Sequence, residues 1–148
     1  MSKTKIPPRT VVQLWVLAGG RCEYEGCNKQ LWRDDLTMAK INSAYIAHII
    51  ADKPDGPRGH KIQSPKLAKE FSNLMLMCDT HHRLIDKEQV KEHPVKLLRK
   101  MKEEHERRIE IGTSIQRDKQ SEIILYGANI GSRSADVSYK KAVQAMRP

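Results

Sequence analysis

Three cysteines and one histidine form two short-spaced pairs that are typical of zinc ligands. Cys22 and Cys27 enclose four residues, and Cys78 and His81 enclose two. Together they supply three thiolates and an imidazole, a ligand set that suits tetrahedral Zn2+. The alternative is that the cysteines are small buried apolar residues, although Cys22 and Cys27 lie among Arg, Glu, Gly and Asn. Because four protein ligands leave no open position, we expect a structural zinc whose loss unfolds the domain.

His48, His82 and Asp86 are a second group of side chains that could do chemistry. His82 and Asp86 are four residues apart, so on a helix they face the same way and could hold one divalent ion. The imidazole of His48 could take a proton from water, because the pKa of histidine lies near neutral pH. The alternatives are a hydrogen-bonded core histidine at position 48 and an ion pair of Asp86 with Arg83 or Lys87.

The order of these residues resembles that of the HNH endonucleases. The match consists of Ala47-His48-Ile49, the loop sequence Gly56-Pro57-Arg58, and, from Asn73, the run Asn-Leu-x-x-x-Cys-x-x-His-His-Arg-Leu-Ile-Asp. It extends from Val11 to Lys87. The resemblance implies an α+β protein with a ββα-metal (His-Me finger) core, in which two strands and a helix hold one divalent ion. A structural zinc knuckle and flanking helices would surround this core.

The resemblance also implies roles for individual residues. His48 would be the general base, and His82 and Asp86 would hold the ion that stabilises charge on the phosphorane and the leaving 3′ oxygen. Asn73 would position the loop, and with it the His48 ring, through hydrogen bonds; otherwise it is a simple turn or capping residue. Arg58 could contact the scissile phosphate of DNA with its forked guanidinium, or it is a solvated loop arginine.

Ala47 departs from the family pattern. Many HNH endonucleases carry Asp or His directly before the base, where it is a metal ligand, whereas alanine cannot coordinate an ion. Either His82, Asp86, water and substrate phosphate hold the ion alone, or another residue such as Asp52 completes the shell. Mg2+ tolerates a water-rich shell, and Mn2+ or Ni2+ would also be suitable.

The first half of the chain must position the early zinc ligands and His48. The sequence predicts a helix that starts at the paired prolines 7–8 and ends at Gly19. Residues 42–51 predict a short strand or a hairpin arm. Residues 52–60 contain two prolines and two glycines and are predicted to form a loop. A short helix is expected over residues 65–71.

The second half must position the remaining ligands. Residues 73–77 form an apolar run that is too short to classify by periodicity. Asp79 could cap a helix that carries His82 and Asp86. Pro94 should open an amphipathic helix that continues to about residue 111 and ends at Gly112.

Composition and charge limit the class of protein. The chain has 148 residues, of which 39% are hydrophobic, enough for one ordinary domain, or for a small domain and the start of another. Lys and Arg number 27 against 18 Asp and Glu, a formal charge of +9, so a polyanion is the favoured partner. Because no apolar run approaches the roughly 18 residues of a membrane span and no signal peptide is evident, we expect a cytoplasmic protein.

The last part of the chain resembles the start of a SAVED sensor domain, which follows HNH nucleases in bacterial cyclic-oligonucleotide (CBASS) antiphage systems. A predicted strand at 123–126, a glycine-containing loop and a helix at 138–146 carry the resemblance. It implies an effector that is switched on when a cyclic oligonucleotide binds the sensor, which this chain does not complete. We therefore predict three segments: a nuclease domain with its C-terminal helix at 1–111, a linker at 112–121, and the beginning of the sensor at 122–148.

Two functions follow from these observations. The first is a metal-dependent HNH endonuclease that hydrolyses double-stranded DNA with little sequence preference. The alternative is a non-catalytic zinc-containing module that binds nucleic acid. The expected partners are double-stranded DNA and, through the sensor, a cyclic oligonucleotide; a homodimer or a higher oligomer is left open, and no membrane is involved.

Overall fold

The computed structural model describes residues 4–114, which form a small α+β fold with one two-stranded antiparallel sheet. The chain divides into two units, Met1–Glu110 and Ile111–Pro148. Of the predicted linker, residues 115–121 lie outside the described residues, as does the whole sensor segment 122–148. The fold described below is that of the first unit.

Helix α1 spans Pro8–Ala18 and begins and ends as its sequence predicts. Proline at the first helical position has no N–H to leave unpaired, and its fixed φ suits a helix. Gly19 ends the helix in the left-handed region at φ 64°, where a residue without Cβ is favoured. Leu14 and Ala18 lie on the buried face, which packs against the sheet.

The sheet pairs β1, Tyr45–His48, with β2, Leu74–Met77, and in their register His48 lies opposite Leu74. All four residues of β2 are fully buried, so this strand lacks the alternating pattern by which sequence distinguishes a strand from a helix. The connection between the strands contains α2, Gln63–Leu67, which starts two residues before the predicted helix. A 3-10 turn, Phe71–Asn73, leads into β2.

Helix α3, Asp79–Arg83, follows β2 and continues into a π-helical turn, Leu84–Glu88. The prediction that Asp79 caps this helix is wrong. The N-cap position is Cys78, and Asp79 is the first helical residue, whose carboxylate pairs with Arg83 at 2.9 Å. The π turn carries Asp86, and such turns often occur at functional sites.

Helix α4 spans Val95–Thr113. The prediction that Gly112 ends it is wrong by one residue, because Gly112 remains helical and is not among the described glycines with positive φ. Leu98 and Met101 of α4 complete the core. No helix in the described part of the chain is both long and apolar enough to span a membrane. The principal core side chains are Leu14, Ala18, Leu31, Ile49, Leu74, Met75, Leu76, Met77, Ile85, Leu98 and Met101.

Candidate functional site

The four predicted zinc ligands form one cluster. The candidate ligand atoms of Cys22, Cys27, Cys78 and His81 all lie within 4.8 Å of one another, so the predicted grouping is confirmed and could hold a metal such as zinc. His81 Nδ1 lies 3.2 Å from the sulfur of Cys78 and 3.8 Å from that of Cys22. Tetrahedral zinc with ordinary bond lengths separates a sulfur from a nitrogen ligand by about 3.5 Å. The two measured distances lie on either side of that value, and the cluster therefore fits the ion.

A tight turn and a paired backbone bring the ligands together. The segment that carries Cys22 and Cys27 folds back on itself through a bridge between Arg21 and Gln30. Gly26 has a φ of 81° and makes the reversal possible. Backbone bonds of 2.9 Å, from Cys22 N–H to the Lys29 carbonyl, and of 3.0 Å, from Cys27 N–H to the Tyr24 carbonyl, close the turn.

Glu23 attaches this turn to the central strand. Its backbone N–H donates to the Leu76 carbonyl, and its carboxylate Oε1 accepts from the Leu76 N–H, each at 2.8 Å. Burial raises the pKa of Glu23 to about 8, although nearby Lys102 acts in the opposite direction. The zinc ligands of the turn are therefore held in register with β2, whose chain continues directly into Cys78.

The protonation states of the cluster favour a bound cation. Burial raises the pKa of the Cys22 thiol, so a thiolate there needs a positive charge beside it. Burial, and next the neighbouring His93, lower the pKa of His81. The imidazole is therefore neutral at pH 7, as a metal ligand must be. A divalent cation would supply the charge that three buried thiolates require.

Tyr24 and His93 support the metal-ligating histidine, and neither was predicted from the sequence. The Tyr24 ring lies parallel to the His81 ring, with centroids 4.1 Å apart and an interplanar angle of 2°. Since the Gln89 carbonyl can only accept, His93 donates to it from Nδ1 at 2.7 Å, and its Nε2 accepts from the Tyr24 hydroxyl at 2.9 Å. This chain of contacts fixes the orientation of the His81 ring, as partners of metal ligands commonly do.

His82 and Asp86 face a cleft of about 390 Å³ that is distinct from the zinc cluster. His82 Nε2 lies 3.3 Å from Asp86 Oδ2, so the predicted i, i+4 pair is brought together. Adjacent ligands of an octahedral ion at about 2.1 Å are about 3 Å apart, so the two atoms fit one divalent ion. Tyr45 of β1 stacks on the His82 ring at 5.1 Å and limits its rotation.

Arg58 links the strand that carries His48 to the helix that carries Asp86. Its Nε donates to the Ile49 carbonyl and its Nη1 to the Ile85 carbonyl, both at 2.6 Å. Its Nη2 donates to Asp86 Oδ1 at 2.6 Å and to the His48 carbonyl at 3.3 Å. The hydrogen bonds of Asp86 with His82 and Arg58 outweigh the opposing effect of burial and lower the pKa of this carboxyl.

The structure therefore places Arg58 differently from both interpretations of its sequence. Its side chain is only 6% exposed, so it is not a solvated loop arginine, and its guanidinium already donates to four protein oxygens rather than to a phosphate. Its φ of 56° lies in the left-handed region, which is costly for a residue with Cβ. A buried, strained arginine with four acceptors is a positioning residue.

His48 and Asn73 lie at the same end of the sheet and share a support. His48 Nε2 donates to the Ala68 carbonyl at 2.9 Å, since a carbonyl can only accept. In the described part of the chain, Nδ1 of His48 makes no hydrogen bond. Asn73 accepts from Ile50 N–H at 2.9 Å and donates to the carbonyls of Ile50 and Leu67 at 2.8 and 3.2 Å. Asn73 thus holds the backbone on both sides of the His48 ring.

Ala47 and Asp52 contribute nothing to a shell around His82 and Asp86. Ala47 is buried in the sheet. Asp52 accepts a hydrogen bond of 2.6 Å from the Thr4 hydroxyl. Over residues 4–114, the zinc cluster is the one place where three or more metal-ligating side chains gather. Of the two sequence alternatives, the structure therefore favours a shell in which His82 and Asp86 are the protein's ligands.

Comparison with known proteins identifies no relative. No protein-family model matches the chain, and no curated protein matches it. Any function must therefore be argued from the zinc cluster, the cleft and the environment of His48.

Proposed function

We propose that this chain is a metal-dependent endonuclease of the HNH type, with a ββα-metal core, that hydrolyses phosphodiester bonds of double-stranded DNA with little sequence preference. The observation that carries the proposal is the tautomer of His48. Its Nε2–H is held by the Ala68 carbonyl at 2.9 Å, and this leaves the lone pair on Nδ1 for a proton. The neighbouring His82–Asp86 pair and the formal charge of +9 support the same function.

His48 would act as the general base. It takes a proton from water onto Nδ1 as the water oxygen bonds to phosphorus and the bond from phosphorus to the 3′ oxygen breaks. The bond from Nε2–H to Ala68 stabilises the imidazolium that results. Asn73 keeps the Leu67–Ala68 backbone and the chain after His48 in place, so that the ring does not have to be ordered at the moment of reaction.

His82 Nε2 and Asp86 Oδ2 would hold a divalent ion such as Mg2+, Mn2+ or Ni2+, with Tyr45 and Arg58 fixing their orientation. When bound, such an ion stabilises charge on the phosphate and on the leaving 3′ oxygen. Lys87 and Arg83 at the cleft would attract the DNA backbone by charge alone, in keeping with little sequence preference. The zinc cluster would have a structural role.

Plasmid cleavage by the whole protein that carries this chain tests the proposal. Supercoiled plasmid is incubated with Mg2+, Mn2+ or Ni2+, and His48→Ala is compared with His60→Ala, which removes an exposed loop histidine. We expect His48→Ala to lower the cleavage rate by about 10²–10⁴-fold, the usual contribution of a general base, while zinc content and melting temperature stay those of a folded protein. Equal rates for His48→Ala and the wild type would overturn the assignment of the base.

The second candidate is a zinc-containing module that binds nucleic acid without cleaving it. Ala47 favours it, because this residue leaves the cleft with two protein ligands for a catalytic ion. DNA binding that weakens steeply with salt, with no cleavage under any divalent ion or activator, would select this function.

The resemblance of residues 122–148 to a SAVED sensor extends the proposal to an antiphage effector that is activated by a cyclic oligonucleotide. These residues lie outside the described part of the structure, so sequence alone supports this extension. The cleavage assay, run with and without cyclic oligonucleotides, tests it directly, because cleavage that requires none of them would contradict the role of the sensor.

A further inference from the structure

The cleft that would hold the catalytic ion carries more positive than negative charge. The charged side chains that line it or contact its ligands are two acids and three bases: Asp79, Asp86, Arg58, Arg83 and Lys87. Asp79 pairs with Arg83 at 2.9 Å, and Asp86 pairs with Arg58 at 2.6 Å. Lys87 has no ion-pair partner in the described part of the chain. Each negative charge in the cleft is thus already balanced, and one positive charge remains.

Asp86 is also limited in the number of oxygens it can offer. Its Oδ1 accepts the short bond from Arg58, whose side chain is buried and makes three further bonds to backbone carbonyls. Only Oδ2 is left to bind an ion together with His82 Nε2. The protein therefore supplies one neutral nitrogen and one oxygen of a compensated carboxylate, whereas Mg2+ and Mn2+ depend on negatively charged oxygen ligands.

We propose that the cleft binds its divalent ion together with a phosphate group of the polynucleotide and binds it only weakly without one. A phosphate supplies the negative charge and the oxygen ligands that Ala47 and the paired Asp86 do not. Lys87 and Arg83 attract the phosphate and repel a free cation, so the same side chains favour joint entry of the two. This inference rests on the proposed function, and it states how the site is kept inactive without DNA.

Such coupling is reciprocal. If DNA tightens ion binding by some factor, the ion must tighten DNA binding by the same factor. Couplings between two ligands of one protein are typically about 5–150-fold, and we expect a value in this range for Mn2+ and duplex DNA. The zinc cluster does not contribute, because its thiolates prefer zinc to Mn2+.

Manganese binding measured by electron paramagnetic resonance tests the inference without relying on activity. The full chain, loaded with zinc and carrying His48→Ala so that DNA stays intact, is titrated with Mn2+ with and without a short duplex. Lys87→Glu adds negative charge to the cleft, and Lys91→Glu is the matched control, an exposed lysine that does not line it. We expect the duplex to tighten Mn2+ binding about 5–150-fold, and Lys87→Glu, but not Lys91→Glu, to tighten it in the absence of DNA.

The outcomes separate this inference from the proposed function. An Mn2+ affinity that the duplex does not change overturns the coupling, even if the wild-type chain cleaves plasmid. Coupling of the expected size without cleavage by the wild type supports the inference and overturns the nuclease alone. If Lys87→Glu and Lys91→Glu behave alike, the charge of the cleft is not the cause and the inference is wrong.

Discussion

The zinc cluster and the cleft begin at adjacent residues, His81 and His82, and are built in opposite ways. The cluster gathers four ligands within 4.8 Å of one another, whereas the cleft offers two ligands and is open to solvent. Behind His81, Tyr24 and His93 form a closed series of contacts. Behind Asp86, the Arg58 guanidinium neutralises the ligand that it positions.

This difference separates an ion that belongs to the fold from an ion that belongs to the reaction. Four ligands with uncompensated thiolate charge hold a cation permanently and link α3 to the turn that follows α1. Two ligands, one of them already paired, leave most of the coordination shell to water and substrate. The folding energy should therefore lie with His81, and metal exchange and chemistry with His82.

The largest expected effect comes from exchanging each of these neighbouring histidines for alanine. His81→Ala removes a zinc ligand, and because apparent zinc-binding energies of small structural sites are about 10–16 kcal/mol, we expect the chain to lose zinc and its cooperative unfolding transition. His82→Ala should retain both and lose divalent-ion binding at the cleft. Zinc content by elemental analysis and thermal unfolding measure the contrast. If the two variants kept equal zinc and melted alike, the division between the regions would be wrong.

Asn73→Ala should have the next largest effect and tests whether the cleft region also contributes to stability. Asn73 is 2% exposed and makes three hydrogen bonds to backbone groups. Its loss leaves Ile50 N–H and two carbonyls unpaired, at about 1–3 kcal/mol for each buried group, so we expect a total loss of about 2–4 kcal/mol in urea unfolding. Asn42→Ala, which removes an exposed side chain bonded to Ala44 N–H, is the control. A loss no greater than that of the control would contradict the structural role of Asn73.

Zinc ligands and helix ends could be predicted from the sequence because each depends on local signals. The Cys and His pairs are short-spaced, and metal ligands come from few residue types. Likewise, Pro8 and Gly19 specify the ends of α1 by their own backbone preferences. These features needed no knowledge of the tertiary structure.

The contacts that position the site could not be predicted, because their partners are distant or carry no residue signature. Tyr24 and His93 are 69 residues apart, and nothing in their local sequence links them. Arg58 was interpreted from its chemistry as a phosphate ligand, but three of its acceptors are backbone carbonyls, which every residue has. The strand β2 was ambiguous because burial on both faces removes its alternation.

The smallest expected effect concerns acid sensitivity, which the comparison attributes mainly to the zinc ligands. His105 is a second source, because burial lowers its pKa, in spite of the bond from its Nε2–H to the Ala18 carbonyl at 2.8 Å, and Arg108 lowers it further. Its Nδ1 faces the Arg108 guanidinium at 3.1 Å, so a second proton on the ring would replace an attraction with a repulsion.

The sign of the effect follows from where the proton binds. As pH falls below about 6.5, the usual pKa of histidine, the unfolded chain takes up a proton at His105 before the folded chain does, so stability decreases until the lower pKa of the folded state is reached. His105→Gln should therefore show a smaller loss of unfolding free energy than the wild type between pH 7 and pH 6, with zinc content monitored throughout. Both proteins carry the same zinc ligands, so the difference between their slopes isolates His105. Identical slopes would assign the entire acid sensitivity in this range to groups other than His105, with the zinc ligands first among them.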